Sequence, residues 1–485
     1  MRDARRSPSG GLTPPSGRNG GCLAPLSLSR LGGLPFTAGG RMLGEVLSPL
    51  WLIPFAGMLL TIALAPMVAA HWWEHRRNQV LASAFWGAPI LVWAGMLLAQ
   101  TPELGHEALH HIQHAGIEYV SFIALLGSLF IISGGVLLKG DLEARPGVNT
   151  AFLAVGALLA NLIGTTGASM LLIRPLLRTN RQRQLVRHIP IFFIFVVSNL
   201  GGLLTPIGDP PLFLGYLRGV PFFWTVEHLV GEWAVGVGVV LAIFYVIDRT
   251  FYGREKALPL NADAAQAAPL GVEGGVNFWL LGGIIAAVIL LSPDAENPGW
   301  RDYYAREIAM VGLTLLSLKL TPASVRTANA FSYGPITEVA ALFAGIFLTM
   351  IPATLLLQAQ GAALGVTTPA QYFWAAGALS SFLDNAPTYV TFAAMACGAT
   401  PDCAGADQLG TLAASATGQP LLLAIATGSV FMGANTYIGN GPNFMVRAIA
   451  EENGYKMPSF FGYMAWSGAV LLPTFVLITL IFFRG

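Results

Sequence analysis

The chain has 485 residues, of which 54% are hydrophobic and 11% are charged, and its formal net charge is +1. Because soluble proteins carry about 25% charged residues, this composition excludes an ordinary water-soluble surface and indicates a membrane protein. The near-neutral charge also argues against a nucleic-acid partner, which would need a basic face.

Residues 1–41 differ in composition from everything that follows. They are rich in Gly, Pro and Ser and lack an apolar run long enough for a signal peptide. They also contain six arginines: Arg2, Arg5, Arg6, Arg18, Arg30 and Arg41. We predict a disordered leader or a mis-assigned start, with Met42 as the true first residue. N-terminal sequencing tests this, since a peptide from residues 7–30 would contradict it.

Long apolar stretches follow Met42 along most of the chain. A transmembrane helix needs about 20 mostly apolar residues. The sequence therefore predicts spans at residues 48–70, 80–99, 117–138, 189–217, 229–247, 276–292, 306–322, 334–357, 420–446 and 460–483. The predicted fold is an all-α polytopic membrane protein with about 10–12 transmembrane segments.

Two further apolar stretches, residues 148–173 and 370–397, are interrupted by small and polar residues. The interruptions are Asn161, Gly164, Thr165, Thr166 and Gly167 in the first, and Asp384, Asn385, Pro387 and Thr388 in the second. Broken backbone at membrane depth is tolerated only where it is buried in protein or lines a wet cavity. Each stretch has the length of two short helices, so we predict two re-entrant hairpins with polar tips.

Loop charges predict the orientation, because Lys and Arg are enriched in cytoplasmic loops. The segment after the first hairpin should be cytoplasmic, since it contains Arg174, Arg178, Arg181, Arg183 and Arg187. This rule explains Arg174 and Arg178 without a ligand, although both could attract an anion. Residues 100–116 and 398–419 contain no Lys or Arg and should be periplasmic. Threading the chain through these loops gives the two hairpins opposite orientations.

The three cysteines, Cys22, Cys397 and Cys403, are too few and too scattered for a disulfide framework or a zinc site. Cys397 and Cys403 can pair if they lie in a periplasmic loop. Two free thiols are an equally good interpretation of the sequence.

The two halves of the chain share an ordered pattern. Glu118 precedes Gly164 by 46 residues, and Glu338 precedes Asp384 by the same 46 residues. The segments SNLGGLLTPIGDPPLF and SVFMGANTYIGNGPNF agree at seven of sixteen positions. Together with the opposite hairpin orientations, this pattern indicates inverted-topology repeats, which are typical of secondary transporters. We expect the binding site where the repeats meet.

These features predict a division of the chain into parts. The parts are N-terminal transmembrane helices at 42–99, repeat 1 at 100–247, a cytoplasmic linker at 248–275 and repeat 2 at 276–485. The repeats contain the hairpins near 148–173 and 370–397 and broken helices near 189–217 and 420–446. The helices are expected to break at TPIGDPP and TYIGNGP, because Pro removes an amide donor and clashes with the preceding turn.

Asp209 and Asp384 are the strongest candidates for functional residues. Each lies in a broken segment at predicted mid-membrane depth, where a carboxylate is costly and by default functional. Asp209 could instead be a turn cap near the periplasmic face. A carboxylate shielded from water can hold either a proton or a cation such as sodium. That is the minimal chemistry for exchanging the two.

Neutral oxygens accompany these acids, and hard cations prefer oxygen ligands. The candidate ligands are Asn161, Thr165, Thr166, Asn199, Thr205, Asn385, Thr388, Asn435, Thr436, Asn440 and Asn443. Each of them singly can also serve only in helix–helix hydrogen bonding. Glu118 and Glu338 are candidates through their paired positions, although a Glu in the first turn of a helix is often only a dipole partner.

At these motifs the chain resembles the ion transporter superfamily over about residues 80–480. It is most similar to the D-type sodium/proton antiporters and the related citrate transporters, whose patterns resemble GLLTPIGD, ending at Asp209, and LDNAP, beginning at Leu383. The Ser-Asn-Thr tips of the symporter branch are replaced by Gly-Thr-Thr and Asp-Asn-Ala. The resemblance implies a homodimer that works by elevator-like or rocking alternating access.

The function expected first is sodium or lithium/proton antiport across a bacterial inner membrane, with ions carried by acids at the repeat interface. The alternative is a proton- or cation-coupled citrate or dicarboxylate transporter. Acidic tips disfavour an anionic substrate unless citrate arrives as a metal complex. A channel needs a continuous pore and an enzyme needs a nucleophile–base pair or metal set, so both are disfavoured. We expect no cofactor, and as partners only the lipid bilayer, small inorganic cations and a second copy of the chain.

Overall fold

The computed structural model of the chain describes residues 39–256, 263, 268–292, 304–401, 403, 405 and 408–484. Residues 1–38 of the predicted leader and Cys22 lie outside these residues, whereas Met42, the expected start, lies in the first described helix, and the start itself stays a prediction. Within the described part the chain is almost entirely helical, which confirms the all-α polytopic class.

The helices and strands are labelled here in chain order. The first half contains α1 (Gly39–Val46), a 3₁₀ helix (Pro49–Trp51), α2 (Leu52–Val68), α3 (Ala70–Trp73), α4 (Arg76–Gln100), α5 (Pro102–Ser133), β1 (Leu137–Asp141), α6 (Pro146–Thr179), α7 (His188–Val196), a 3₁₀ helix (Leu200–Leu204), α8 (Pro210–Leu217) and α9 (Trp224–Tyr252). The second half contains β2 (Ala268–Glu273), α10 (Val276–Leu290), α11 (Ala305–Leu320), α12 (Ala323–Ala328), α13 (Gly334–Gln360), a 3₁₀ helix (Gly361–Leu364), α14 (Pro369–Ser380), α15 (Asn385–Ala399), α16 (Leu409–Ala414), α17 (Gln419–Met432), a 3₁₀ helix (Gly433–Asn435), α18 (Gly441–Glu452) and α19 (Phe460–Phe482).

Many of these helices are long and apolar enough to cross a membrane. Seven helical segments in the described residues meet that standard: Pro49–Val68, Arg76–Gln100, Pro102–Ser133, Pro146–Thr179, Trp224–Tyr252, Gly334–Leu364 and Phe460–Phe482. His188–Leu204 and Val276–Leu290 are shorter apolar helices. The chain is therefore a multi-pass membrane protein, and other predicted spans are short or broken helices rather than full-length ones.

Helix α6 is a hairpin rather than a straight rod. Gly164 within it has φ 77° and ψ 154°, a positive-φ conformation that glycine adopts without a steric penalty. Asn149 Nδ2, near one end, donates to Asn180 Oδ1, just past the other end, at 2.9 Å. A straight helix would separate these two residues by about 45 Å. The chain therefore reverses direction at Gly164, and α6 is called the first hairpin.

Helices α14 and α15 form a second hairpin with its tip at residues 381–384. A capping box begins it: Gln371 N donates to Thr368 Oγ1 at 3.3 Å, and Thr368 N donates to Gln371 Oε1 at 3.0 Å. The rings of Tyr372 and Phe392, one from each arm, lie 6.5 Å apart. The two arms therefore run side by side.

Each half also contains a helix that is interrupted along its length. In the first broken helix, α7 ends at Val196 and α8 begins at Pro210. In the second broken helix, α17 ends at Met432 and α18 begins at Gly441. Prolines occupy the first turns of α8 and α18, where an absent N–H leaves no hydrogen bond unmade.

Residues 100–116 are not a loop, because α5 already begins at Pro102, and the periplasmic side expected for them stays a prediction. Gly105, Ala108 and Ala115 are buried at helical spacing. A side chain at Gly105 would meet the Leu98 backbone at 2.3 Å, so this helix packs closely against α4. The packed face explains why a polar, His-rich segment is helical.

A two-stranded ribbon was not predicted. Strand β1 pairs antiparallel with β2, so part of the predicted linker at 248–275 is a strand rather than an irregular loop. Leu137 lies opposite Glu273, and Lys139 forms an ion pair with Glu273. The ribbon ties the segment after α5 to the segment before α10.

Candidate functional site

Asp209 lies at the break of the first broken helix and is only 1% exposed. Its backbone is extended, with φ −141° and ψ 144°, and α8 begins at the next residue. The side chain forms no capping bond to its own helix. Pro210 and Pro211, which follow it, have no N–H to donate. Hydrogen-bond donors for the carboxylate must therefore come from other elements of the fold.

Three side chains from three other elements donate hydrogen bonds to the Asp209 carboxylate. Thr165 Oγ1, at the first hairpin tip, lies 2.9 Å from Oδ1. Asn385 Nδ2, at the second hairpin tip, lies 2.9 Å from Oδ2. Asn440 Nδ2, at the break of the second broken helix, lies 3.5 Å from Oδ1. Both hairpin tips and both breaks therefore meet at this carboxylate.

These four residues occupy matching positions in the two halves. The offset between the hairpins is 220 residues, which matches Thr165 to Asn385. The offset between the broken helices is 231 residues, which matches Asp209 to Asn440. The site thus has a paired plan, with a carboxylate contributed by one half and a neutral amide by the other. The inverted orientation of the halves stays a prediction.

The breaks are held to the hairpins by the same bonds in both halves. Thr205 Oγ1 donates to the Asn161 carbonyl at 2.5 Å and accepts from Gly208 N at 3.1 Å. Thr436 Oγ1 donates to the Ser381 carbonyl at 2.5 Å and accepts from the matching glycine amide at 3.1 Å. Each Thr therefore satisfies backbone groups that the interrupted helix leaves unpaired.

Glycines are required where the backbone crosses itself at each break. A Cβ on Gly208 would lie 2.2 Å from the Gly202 carbonyl oxygen. A Cβ on Gly439, the matching residue, would lie 2.5 Å from the Gly433 carbonyl oxygen. Only glycine allows backbone segments to approach this closely.

Asp384 lies beside the buried carboxylate but has a different environment. It is half-buried and caps α15, because its Oδ1 accepts from Ala386 N at 3.0 Å. The next residue, Asn385, donates to the Asp209 carboxylate at 2.9 Å. Thr388 Oγ1 donates to the Asp384 carbonyl at 3.0 Å rather than to a carboxylate. The structure thus brings the two predicted acids together.

Several predicted neutral ligands hold the broken backbone in place. Asn161 Nδ2 donates to the Gly201 carbonyl at 2.6 Å, and its Oδ1 accepts from Leu204 N at 2.8 Å. Asn199 Nδ2 donates to Asn443 Oδ1 at 2.7 Å, which links the two broken helices. These amides position the site in this conformation rather than face its carboxylates.

Asn435 and Thr166 lie at the margin of the site. Asn435 Nδ2 donates to Ser381 Oγ at 2.9 Å, whereas its Oδ1 is buried and has no hydrogen-bond partner among the described residues. Thr166 lines a cavity of about 50 Å³ beside Gly164 and Thr165, at the first hairpin tip. A cavity of this size has room for a few water molecules.

Comparison with known families supplies an identification. Residues 44–483 match the model of the family described as "Putative citrate transport". The chain belongs to this family. No curated protein matches the chain. The family match confirms the expected relationship to the ion transporter superfamily, and the protein is a transporter.

Two acids predicted for the site of this transporter lie elsewhere. Glu118 is buried and pairs with Arg218, whose Nε and Nη2 lie 2.8 Å and 2.9 Å from the two carboxylate oxygens. Glu338 is partly exposed and lies 3.7 Å from Arg76 Nη1. Neither acid contacts Asp209 in the described residues.

Sequence reasoning missed Ser380, which helps to orient a residue of the transporter's site. Its Oγ lies 2.7 Å from Asn385 Oδ1 and 2.6 Å from the Ser429 carbonyl. It therefore fixes the amide whose Nδ2 faces the buried carboxylate. Its only signal in the sequence is its place directly before the tip, at the end of α14, which is a common place for a serine.

Proposed function

We propose that this transporter exchanges sodium ions for protons at the paired acids Asp209 and Asp384. The observation that carries the proposal is the buried Asp209 carboxylate where both hairpin tips and both breaks converge. None of the hydrogen bonds or ion pairs formed by either acid within the described residues involves Lys, Arg or His. A cation or a proton is therefore the natural counter-charge.

The three donors around Asp209 can serve both bound states. With the carboxylate bare, the Thr165 hydroxyl and the Asn385 and Asn440 amides donate to it. The same groups also carry oxygens, and hard cations take such ligands together with carboxylates. Rotation of the Thr165 hydroxyl hydrogen presents its oxygen to sodium, and a half-turn of the Asn385 or Asn440 amide does the same, which for Asn385 breaks the hydrogen bond from Ser380. Protonation of the carboxylate then releases the sodium ion, so each transport cycle exchanges a sodium ion for a proton.

The proposed movement is alternating access between the two sides of a bacterial inner membrane. Secondary transporters of this architecture carry their site between repeats and expose it to each side in turn. The cavity beside Gly164 supports access at the first hairpin tip. We propose that repeat 1 at 100–247 and repeat 2 at 276–485 form the moving framework. The working unit is proposed to be a homodimer without a cofactor.

The second candidate function is cation-coupled uptake of citrate, and the family description favours it. A free citrate trianion would meet two carboxylates and no basic contact at the site, which is unfavourable. Citrate that carries a bound metal cation, or that enters when sodium already occupies the site, would not meet this unfavourable charge. In this case the two acids would bind the coupling cation.

Purified protein in liposomes with a trapped pH dye separates these functions. Antiport predicts that a sodium gradient moves protons in the absence of citrate. Uptake of labelled citrate that depends on a sodium or proton gradient, without citrate-independent exchange, would establish the second function and exclude the first. Glu103→Gln serves as the charge-matched control for both acids, since Glu103 is exposed on α5.

A further inference from the structure

A second cavity lies at the predicted cytoplasmic end of the first hairpin. Its volume is about 360 Å³, within the range of small-molecule sites. Its walls come from β1, the second arm of α6, the end of α12 and the segment after α18. Arg174 on that arm is ten residues from Gly164, which is about 15 Å along a helix. The cavity is therefore separate from the Asp209 site.

Three arginines line this cavity, and they are not equivalent. Arg178 is committed to the ribbon, because its Nε and Nη2 donate to the carbonyls of Gly140 and Leu138 at 2.9 Å and 3.0 Å. Arg181 has an interaction of its own. Arg174 Nη1 is buried and has no hydrogen-bond partner in the described part of the chain. A buried donor left unpaired is costly, and more so when it is charged.

Two other polar side chains of the cavity form hydrogen bonds elsewhere and not with the Arg174 guanidinium. Asn329 Nδ2 already donates to the carbonyls of Gly134 and Val136, and the Tyr455 hydroxyl donates to the Leu177 carbonyl. Among the described residues that line the cavity, none is acidic.

Glu452, the last residue of α18, does not line the cavity. Glu452 is exposed and interacts with the guanidinium electrostatically, but no ion pair joins them within the described residues. The cavity therefore presents positive charge without an internal counter-ion.

We propose that this cavity binds a small multivalent anion, carrying carboxylate or phosphate groups, through the guanidinium of Arg174. A guanidinium matches both groups by paired parallel hydrogen bonds. Free anions and the headgroups of anionic lipids share this chemistry. An anion held here links the first hairpin to the ribbon and to the segment after α18, and so stabilises their present arrangement. The inference is independent of the ion exchanged at Asp209.

Isothermal titration of the full chain in phosphatidylcholine nanodiscs tests the proposal, with inorganic phosphate and citrate as probes. Arg174→Gln should weaken saturable binding roughly tenfold or more, because a charge-assisted bond is lost. Arg249→Gln should bind as the unaltered chain does, since Arg249 is exposed at the end of α9 and does not line the cavity. Asp209→Asn should also keep this binding, which separates the cavity from the transport site.

Nanodiscs that contain phosphatidylglycerol distinguish the two sources of the anion. If a headgroup fills the cavity, native mass spectrometry should retain phosphatidylglycerol on the unaltered chain and on Arg249→Gln but lose it on Arg174→Gln. Equal affinity of Arg174→Gln and the unaltered chain for every probe would overturn the proposal. So would the absence of Arg174-dependent binding for all three probes (phosphate, citrate and phosphatidylglycerol) when Arg174→Lys and Arg174→Gln remain monodisperse.

Discussion

The Asp209 carboxylate has three hydrogen-bond donors and no cationic side chain among its contacts in the described residues. Burying an ion costs several kcal/mol even after relaxation. Each hydrogen bond to a charged group offsets about 1.5–3 kcal/mol. The opposing contributions are of similar size, so under the proposed exchange a bound proton or sodium ion would decide the state of the carboxylate.

Asp209→Asn should reduce ion exchange about 100-fold or more, because the amide of the variant cannot take up the proton. Asp384→Asn should also reduce exchange strongly, since it removes the second charge of the pair. Proton flux in liposomes measures both variants against Glu103→Gln. Full exchange by Asp209→Asn, inserted at normal levels, would remove this residue from the mechanism.

At the scale of elements, the two breaks depend on backbone crossings that admit no side chain. Gly208→Ala should force the Gly202 carbonyl aside, because the added Cβ would lie 2.2 Å from its oxygen. We expect about 1–3 kcal/mol of destabilisation, a lower melting temperature and lost transport. Gly441→Ala is the control, since its Cβ would meet nothing within 4 Å. Equal melting temperatures of the two variants would show that the close backbone approach at Gly208 does not contribute to stability.

The Glu118–Arg218 pair joins α5 to the end of α8, and both side chains are about 5% exposed. Breaking a buried pair leaves one uncompensated charge, which costs about 3–5 kcal/mol. Glu118→Gln should therefore lower the melting temperature in detergent clearly. The double variant Glu118→Gln/Arg218→Met should recover part of the loss, and a double-mutant cycle measures the coupling. Additive losses would show that the pair contributes no coupling energy.

At the scale of the whole molecule, the disulfide and the loop charges point to one topology. Cys397 and Cys403 form a disulfide at the end of the second hairpin. Of the two predicted alternatives, a disulfide and two free thiols, the structure has the disulfide. Disulfides persist in oxidising compartments. This agrees with the absence of Lys and Arg from residues 398–419. Both observations favour the periplasmic side for this segment.

Cysteine accessibility tests this topology directly. In a chain whose native cysteines are replaced by Ser, Thr101→Cys should react with a membrane-impermeant maleimide added outside intact cells. Lys456→Cys should react only after the membrane is opened. Both positions are exposed in the structure, so access depends on the side of the membrane rather than on burial. Labelling of both from outside would overturn the predicted orientation.

Most of what the sequence predicted follows from the costs that lipid imposes. Apolar length predicted the spans, and interrupted runs with Gly, Pro and Asp predicted the places where helices break, because hydrocarbon excludes unpaired backbone and bare charge. The resemblance and the repeat pattern predicted a transporter, which the family match confirmed. The polar first part of α5 and the ribbon were missed, since only packing against distant segments stabilises them.

The sequence by itself determined the membrane class, the broken elements and the pair Asp209 and Asp384, because local composition sets what lipid tolerates. Only the tertiary structure decided which polar residues face the acid. Thr165, Asn385 and Asn440 donate to Asp209, whereas Glu118 is held by an arginine. These partners are 44, 176, 231 and 100 residues apart in the chain. Contacts over such distances depend on how the elements pack, which no local pattern specifies.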